Sequence, residues 1–101
     1  MAQRLVIEVA TRQGDFILHL SGRLDGSGAR AVAWCLEALE GHRTVLDFSH
    51  LEAVEPIGAR VLAIRLKRLR AAGVRAELEG LTEPVARELW LGGVLEAPAG
   101  V

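Results

Sequence analysis

The chain has 101 residues and a mass of 10.9 kDa, with half of its residues apolar and a quarter charged, which fits one compact globular domain. A net charge of -1, from 12 basic and 13 acidic residues, excludes whole-surface electrostatic attraction to nucleic acid. A single cysteine, Cys35, excludes an internal disulfide framework and any multi-cysteine metal site.

No apolar run approaches the roughly 20 residues that span a bilayer. Met1 to Val9 lacks the apolar core and small-residue cleavage site of a signal peptide. A cytoplasmic domain without membrane insertion is expected, docked on something larger. Arg outnumbers Lys eleven to one, and Asn and Tyr are absent. A thermophilic source or a GC-rich genome would each produce that bias, and neither bears on function.

Leu5 to Val9 has the composition of a first strand, and Gln13-Gly14-Asp15 is a turn signal. Asp15 to Ser21 alternates, with Phe16, Leu18 and Leu20 on one face and Ile17, His19 and Ser21 on the other, so a hairpin opens the chain. Gly22 to Gly28 is expected to be a glycine-rich loop, with Asp25 and Ser27 both available as helix caps. The spacing of Val32, Cys35, Leu36 and Leu39 predicts a helix to about Glu40, stopped by Gly41.

Thr44 to Phe48 is apolar enough for a central strand, and His50 to Glu55 is expected to be a loop. Pro56 suits the first turn of a second helix, running to about Ala72 before Gly73. Val74 to Leu78 makes a fourth strand. Thr82 caps a third helix, with Pro84 in its first turn, that runs to about Leu91. The order is β-β-α-β-α-β-α, an α/β fold with a mixed four-stranded sheet and helices mainly on one face. One domain is expected over residues 1–101, with a mobile tail at 96–101.

The histidines His19, His42 and His50 lack the helical spacing of a metal pair, so no metal or catalytic site is expected from them. Cys35 belongs to the inner stripe of the first helix and fits a small buried hydrophobe. The Gly22 to Gly28 segment could cradle a phosphate at a helix N-terminus. It fits neither the Walker A nor the GxGxxG pattern, and a capped strand-to-helix turn accounts for it.

The second helix is the most informative stretch. Between Pro56 and Ala76 stand Arg60, Arg65, Lys67, Arg68, Arg70 and Arg75 with no carboxylate among them. A solvated face with cations favouring the helix C-terminus explains them, and an acidic partner surface or anionic headgroups are the functional alternative. Ala59, Leu62, Leu66 and Leu69 cluster on one side of this helix. Ile57, Val61 and Ile64 cluster well over 100° away. The first set is assigned to the core and the second to a partner face, with burial under the first helix as the alternative for Val61 and Ile57.

Several short motifs, taken in order, resemble the STAS family, the domain shared by sulfate transporters and anti-sigma factor antagonists. Gly22-Arg-Leu-Asp25 resembles the family's Gly-x-Leu-Asp, and Leu46-Asp-Phe-Ser49 its Asp-Leu-Ser. Glu55-Pro-Ile-Gly58 occupies the place of its Asp-Ser-Ser-Gly. Gly73 and Glu83-Pro-Val-Ala86 sit where the family has a glycine before the last strand and the start of the last helix. The resemblance spans nearly the whole chain and implies a non-enzymatic, cofactor-free module that binds a protein such as an anti-sigma factor kinase. In that branch, phosphorylation of a serine at the start of the second helix breaks the complex by placing about two negative charges in a packed interface.

The family's phospho-acceptor serine aligns with Ile57, which has no hydroxyl. Pro56 replaces the neighbouring serine, and Glu55 the aspartate. The three serines present are Ser21, Ser27 and Ser49, all outside the motif. A domain not switched by phosphorylation at that place is expected, with Asp25, Ser27, Glu55, Pro56, Ile57, Gly58, Val61 and Ile64 as the partner-binding set. The resemblance also admits a small cytoplasmic subunit of an ABC-type lipid transporter that docks on the ATPase. There Leu78 to Leu81 matches the Leu-x-Gly-Leu entering the last helix. An exposed apolar stripe could equally join two copies of the chain, so a homodimer stays open. A nucleotide-binding protein using the Gly22 to Gly28 loop is the third alternative.

Overall fold

The structure is a computed structural model, and it describes residues 3–95. The expected tail at 96–101 lies outside the described residues. The elements are β1 (Val6–Arg12), β2 (Asp15–Leu24), α1 (Gly26–Ala38), β3 (Thr44–Val54), α2 (Pro56–Ala71), β4 (Ala76–Glu79) and α3 (Glu83–Leu91). The order β-β-α-β-α-β-α is the one expected.

The sheet runs β1-β2-β3-β4, with β1 antiparallel to β2 and the other neighbours parallel. Gln13 and Gly14 close the opening hairpin, both at positive φ, which lets a two-residue turn follow the strand twist. From β2 onward each new strand is added on the same side of the last. Right-handed crossovers then place α1 and α2 on one face of the sheet. That face carries Leu18, Leu20, Leu46 and Phe48, and they form one core with Val32 and Leu36 of α1, Ala59, Leu62, Leu66 and Leu69 of α2, and Val85 and Leu89 of α3. The assignment of Leu62, Leu66 and Leu69 to the core is borne out. Cys35 is only half-buried, at the edge of the α1 stripe rather than under it.

Two expected loops are strand. Gly22 to Leu24 continues β2, and His50 to Val54 continues β3. They pair with each other: Ser21 with His50, Gly22 with Leu51, Arg23 with Ala53 and Leu24 with Val54. The register shifts twice along this stretch, as bulges do, which absorbs the glycine and polar residues that masked the strand. Gly22 has φ +87, and a Cβ there would lie 2.3 Å from the Arg4 carbonyl oxygen. Only glycine lets the segment before β1 approach so closely.

The opposite sheet face is covered by charge rather than by helices. Ile17 and Val45 lie on it at 5% and 2% exposure, outside the main core. Strand alternation puts Arg12, Asp15, His19, Asp47, Glu77 and Glu79 on the same face. Arg12 on β1 pairs with Glu79 on β4 at 2.9 Å, bridging the sheet from edge to edge. Arg43 pairs with Asp15 at 2.5 Å and with Glu77.

Candidate functional site: the paired starts of α1 and α2

The extended pairing of β2 with β3 ends at Leu24 and Val54, so the residues that follow, Asp25 and Glu55, are neighbours. Each is the N-cap of its helix. The Glu55 N–H donates to the Leu24 carbonyl at 2.9 Å, tying the two helix starts together. Ile57 then lies against the start of α1, its Cγ1 3.7 Å from where a Cβ on Gly26 would stand. Gly58 is buried, and a Cβ on it would meet the Leu24 carbonyl oxygen at 2.3 Å. The start of α2 therefore rests directly on the end of β2.

Asp25 accepts a hydrogen bond from the Gly28 N–H at 2.7 Å and one from the Ser27 hydroxyl at 3.0 Å. The Gly28 N–H, then the Ser27 hydroxyl, holds the Asp25 carboxyl below its ordinary range. Of the two caps expected, Asp25 is the one used, and Ser27 is an exposed residue of the first helical turn. A carboxylate thus occupies the anion position at the α1 N-terminus, and the Arg23 N–H is bonded to the Gln3 carbonyl. The geometry argues against a phosphate cradle over Gly22 to Gly28, because a phosphate would meet Asp25. Glu55 makes no side-chain cap bond; it pairs loosely with Arg23 at 3.4 Å.

Along α2 the expected partner face splits. Ile57 is 56% exposed and Ile64 48%, whereas Val61 between them is half-buried. Trp34 on α1, 76% exposed, adds the largest apolar group near this face. It shares with Arg65 of α2 a cleft of about 400 Å³ between the helices, lined also by Arg30 and Glu37. Trp34 lies about 200° round α1 from Val32, so it points away from the core stripe; that angle is its signal in the sequence. On the other flank of α2, Pro56 and Arg60 border a smaller cleft of about 220 Å³ with Glu88 and Leu91 of α3. Leu91 is also exposed. The site is therefore an apolar band over the outer faces of α1, α2 and the end of α3, with Asp25, Ser27, Glu55, Pro56, Ile57 and Gly58 gathered at one end.

His19 and Asp47 lie away from this band, on the charge-covered sheet face. His19 Nδ1 and Asp47 Oδ2 are 2.7 Å apart, and the Ser49 N–H donates to Asp47 at 3.0 Å. Burial works against ionisation of Asp47, but the Ser49 N–H and the His19 ring outweigh it and hold the carboxyl below its usual range. The Ser49 hydroxyl meets the His50 ring at 3.1 Å, and the His19 ring is bonded to Asp47 rather than to a serine hydroxyl. A nucleophile–base–carboxylate arrangement is not assembled there. Among the described residues there is no cluster of metal-ligating side chains, and no helix is long and apolar enough to cross a membrane.

No curated protein matches the chain. Among solved structures it is similar to Mglu, at 33% identity and a TM-score of 0.64; the match covers 75% of this chain and only 20% of Mglu. It is similar in fold to the anti-sigma factor antagonist SpoIIAA in its unphosphorylated form, at 16% identity and a TM-score of 0.65, over 88% of this chain and 82% of that one. Moorella thermoacetica RsbS is similar at 23% identity and a TM-score of 0.65, over 86% of this chain and 77% of that one. The family model described as "Mlab, STAS domain" matches residues 7–96. That match spans nearly the whole chain, in which the sequence motifs and the β-β-α-β-α-β-α order agree, and the chain belongs to the STAS domain family.

Proposed function

We propose that this domain is a regulatory protein-binding module of the anti-sigma factor antagonist kind, which engages its partner through α2 and the adjoining face of α1. The observation that carries this reading is the exposure of Trp34, Ile57 and Ile64 on adjoining helices. Large apolar groups grouped on the surface of a small domain mark an interface. Asp25, Ser27, Glu55, Pro56 and Val61 complete the contact set, and Gly58, buried against the end of β2, holds the start of α2 in place beneath it.

Ile57 stands where the resemblance calls for a phospho-acceptor serine, so the contact is not switched there by a kinase. It gains instead from apolar burial. Covering a fully exposed isoleucine contributes about 1.5–3 kcal/mol, and Ile57 has roughly half of that left to gain.

The test is recovery of partners from native extract on tagged wild type and on Ile57→Glu, with identification by mass spectrometry. Burying an unpaired carboxylate at the contact is expected to weaken capture by more than about tenfold, while the exposed position leaves the fold intact. Capture of a kinase-like signalling protein that is lost in the variant fits the proposal. Capture of a transporter ATPase through the same residue moves the domain to the transport-subunit reading. Retention of the same partner by Ile57→Glu refutes this face as the contact.

A further inference from the structure

The exposed side of α2 carries a set of cations around its apolar residues. At 100° per residue, Arg60 and Lys67 fall on one side of the Ile57 and Ile64 stripe, and Arg68 and Arg65 on the other. Arg60, Lys67 and Arg68 are exposed, and Arg65 is half-buried. None of the four pairs with a carboxylate among the described residues. Arg70 differs, since it donates to the Ala76 carbonyl at 2.7 Å. Arg68 gains from the negative end of the helix dipole; Arg60, near the positive end, does not. Like charges three residues apart, as at Arg65 and Arg68, work against the helix. Outside α2, Arg12, Arg23 and Arg43 meet carboxylates, whereas α2 gathers four cations without such a partner on one exposed helix face.

We infer that the α2 face takes a protein segment whose apolar ridge is bordered by carboxylates. This inference rests on the protein-binding reading above and names the chemistry of the partner. Ile57, Ile64 and Trp34 would hold the ridge, and Arg60, Arg65, Lys67 and Arg68 would meet the acidic borders. An anionic bilayer fits less well. Glu37 lies in the cleft with Trp34, and Glu88 in the cleft with Arg60. A flat anionic surface would press on both carboxylates, whereas a narrow helix or strand can pass between them.

The probe is a synthetic amphipathic helical peptide with a leucine face bordered by glutamates. Its twin carries lysine in place of every glutamate. Vesicles of phosphatidylglycerol serve as the lipid arm. Binding is followed by peptide anisotropy and, in a Trp90→Phe background that leaves Trp34 as the one tryptophan, by the emission of Trp34, at low and high salt. The acidic peptide is expected to saturate, to weaken as salt rises, and to lose about tenfold in affinity with Arg60→Glu/Arg68→Glu, since two surface pairs contribute a few-fold each. The basic twin is expected not to bind. Both substituted positions are exposed, and the dipole interaction lost at Arg68 is offset in part by the one gained at position 60 near the helix start, so circular dichroism should match wild type and Tm should stay within a few degrees of it.

In the peptide assay three results overturn the inference: no binding of the acidic peptide, equal binding of the basic twin, or unchanged affinity in the charge-reversed variant. Vesicle binding with a silent acidic peptide overturns it in favour of lipid. A partner recovered from extract that is lost in Ile57→Glu but held at full affinity by the charge-reversed variant overturns the acidic partner and leaves the protein-binding reading standing.

Discussion

The contact between α2 and β2 at Gly58 yields a quantitative prediction. Gly58→Ala places a Cβ 2.3 Å from the Leu24 carbonyl oxygen, 2.8 Å from its carbon and 3.0 Å from the Asp25 carbonyl carbon. All three atoms are backbone, so no side chain can swing away. Ordinary contact needs at least 3.4 Å, and α2 must part from β2 by about 1 Å. Overpacking of this kind costs about 1–3 kcal/mol. The same shift stretches the Glu55 N–H bond to Leu24, worth about 1 kcal/mol. Alanine returns about 1 kcal/mol through its helix propensity. The balance is a loss of about 2 kcal/mol, or a fall in Tm of roughly 8–16 °C for a domain of this size. Gly26→Ala is the control. Its Cβ would meet only Ile57 Cγ1 at 3.7 Å, an ordinary contact, and its stability should stay within about 0.5 kcal/mol of wild type. Thermal denaturation by circular dichroism of the two variants decides the matter. A Gly58→Ala protein as stable as wild type would refute the close approach of α2 to β2.

Asp25→Ala removes the acceptor of the Gly28 N–H and should cost about 1 kcal/mol in urea denaturation, while Asp25→Ser should recover most of it. Asp25 and Asp47 both have carboxyls held below their ordinary pKa in the folded state. Their contribution is therefore present above the unfolded carboxylate pKa, near about 4, and is lost as pH falls through the folded values. Asp47→Asn should be less stable than wild type at neutral pH, by about 1 kcal/mol, with the gap closing in acid; a gap that widens on acidification contradicts the assigned bonds. Trp34→Ala should leave Tm nearly unchanged, because the side chain is largely in water, yet weaken capture of the partner, measured beside Ile57→Glu.

The sequence by itself determined the element order, the sides of α2 and the missing hydroxyl at Ile57. These are local properties. Leu62, Leu66 and Leu69 share a helix face because of the 3.6-residue repeat, and they are buried as that repeat requires. The same repeat places Ile57 and Ile64 outside, and both are exposed.

What only the tertiary structure decided depends on pairs of segments distant in the chain. Gly22 to Leu24 and His50 to Val54 each lack a strand pattern of their own, and each is strand because the other lies beside it. Val61 and Ile57 have the same apolar character, yet Val61 packs against the core and is half-covered while Ile57 is open. His19 was legible as a strand residue, but not its partner, since Asp47 comes from the next parallel strand, beyond a whole helix. Local periodicity fixes which way a side chain points from its own element. What it points toward is set by the crossover that brings a second element alongside, and that is how Asp25 and Glu55, thirty residues apart, come to stand together at one end of the proposed binding face.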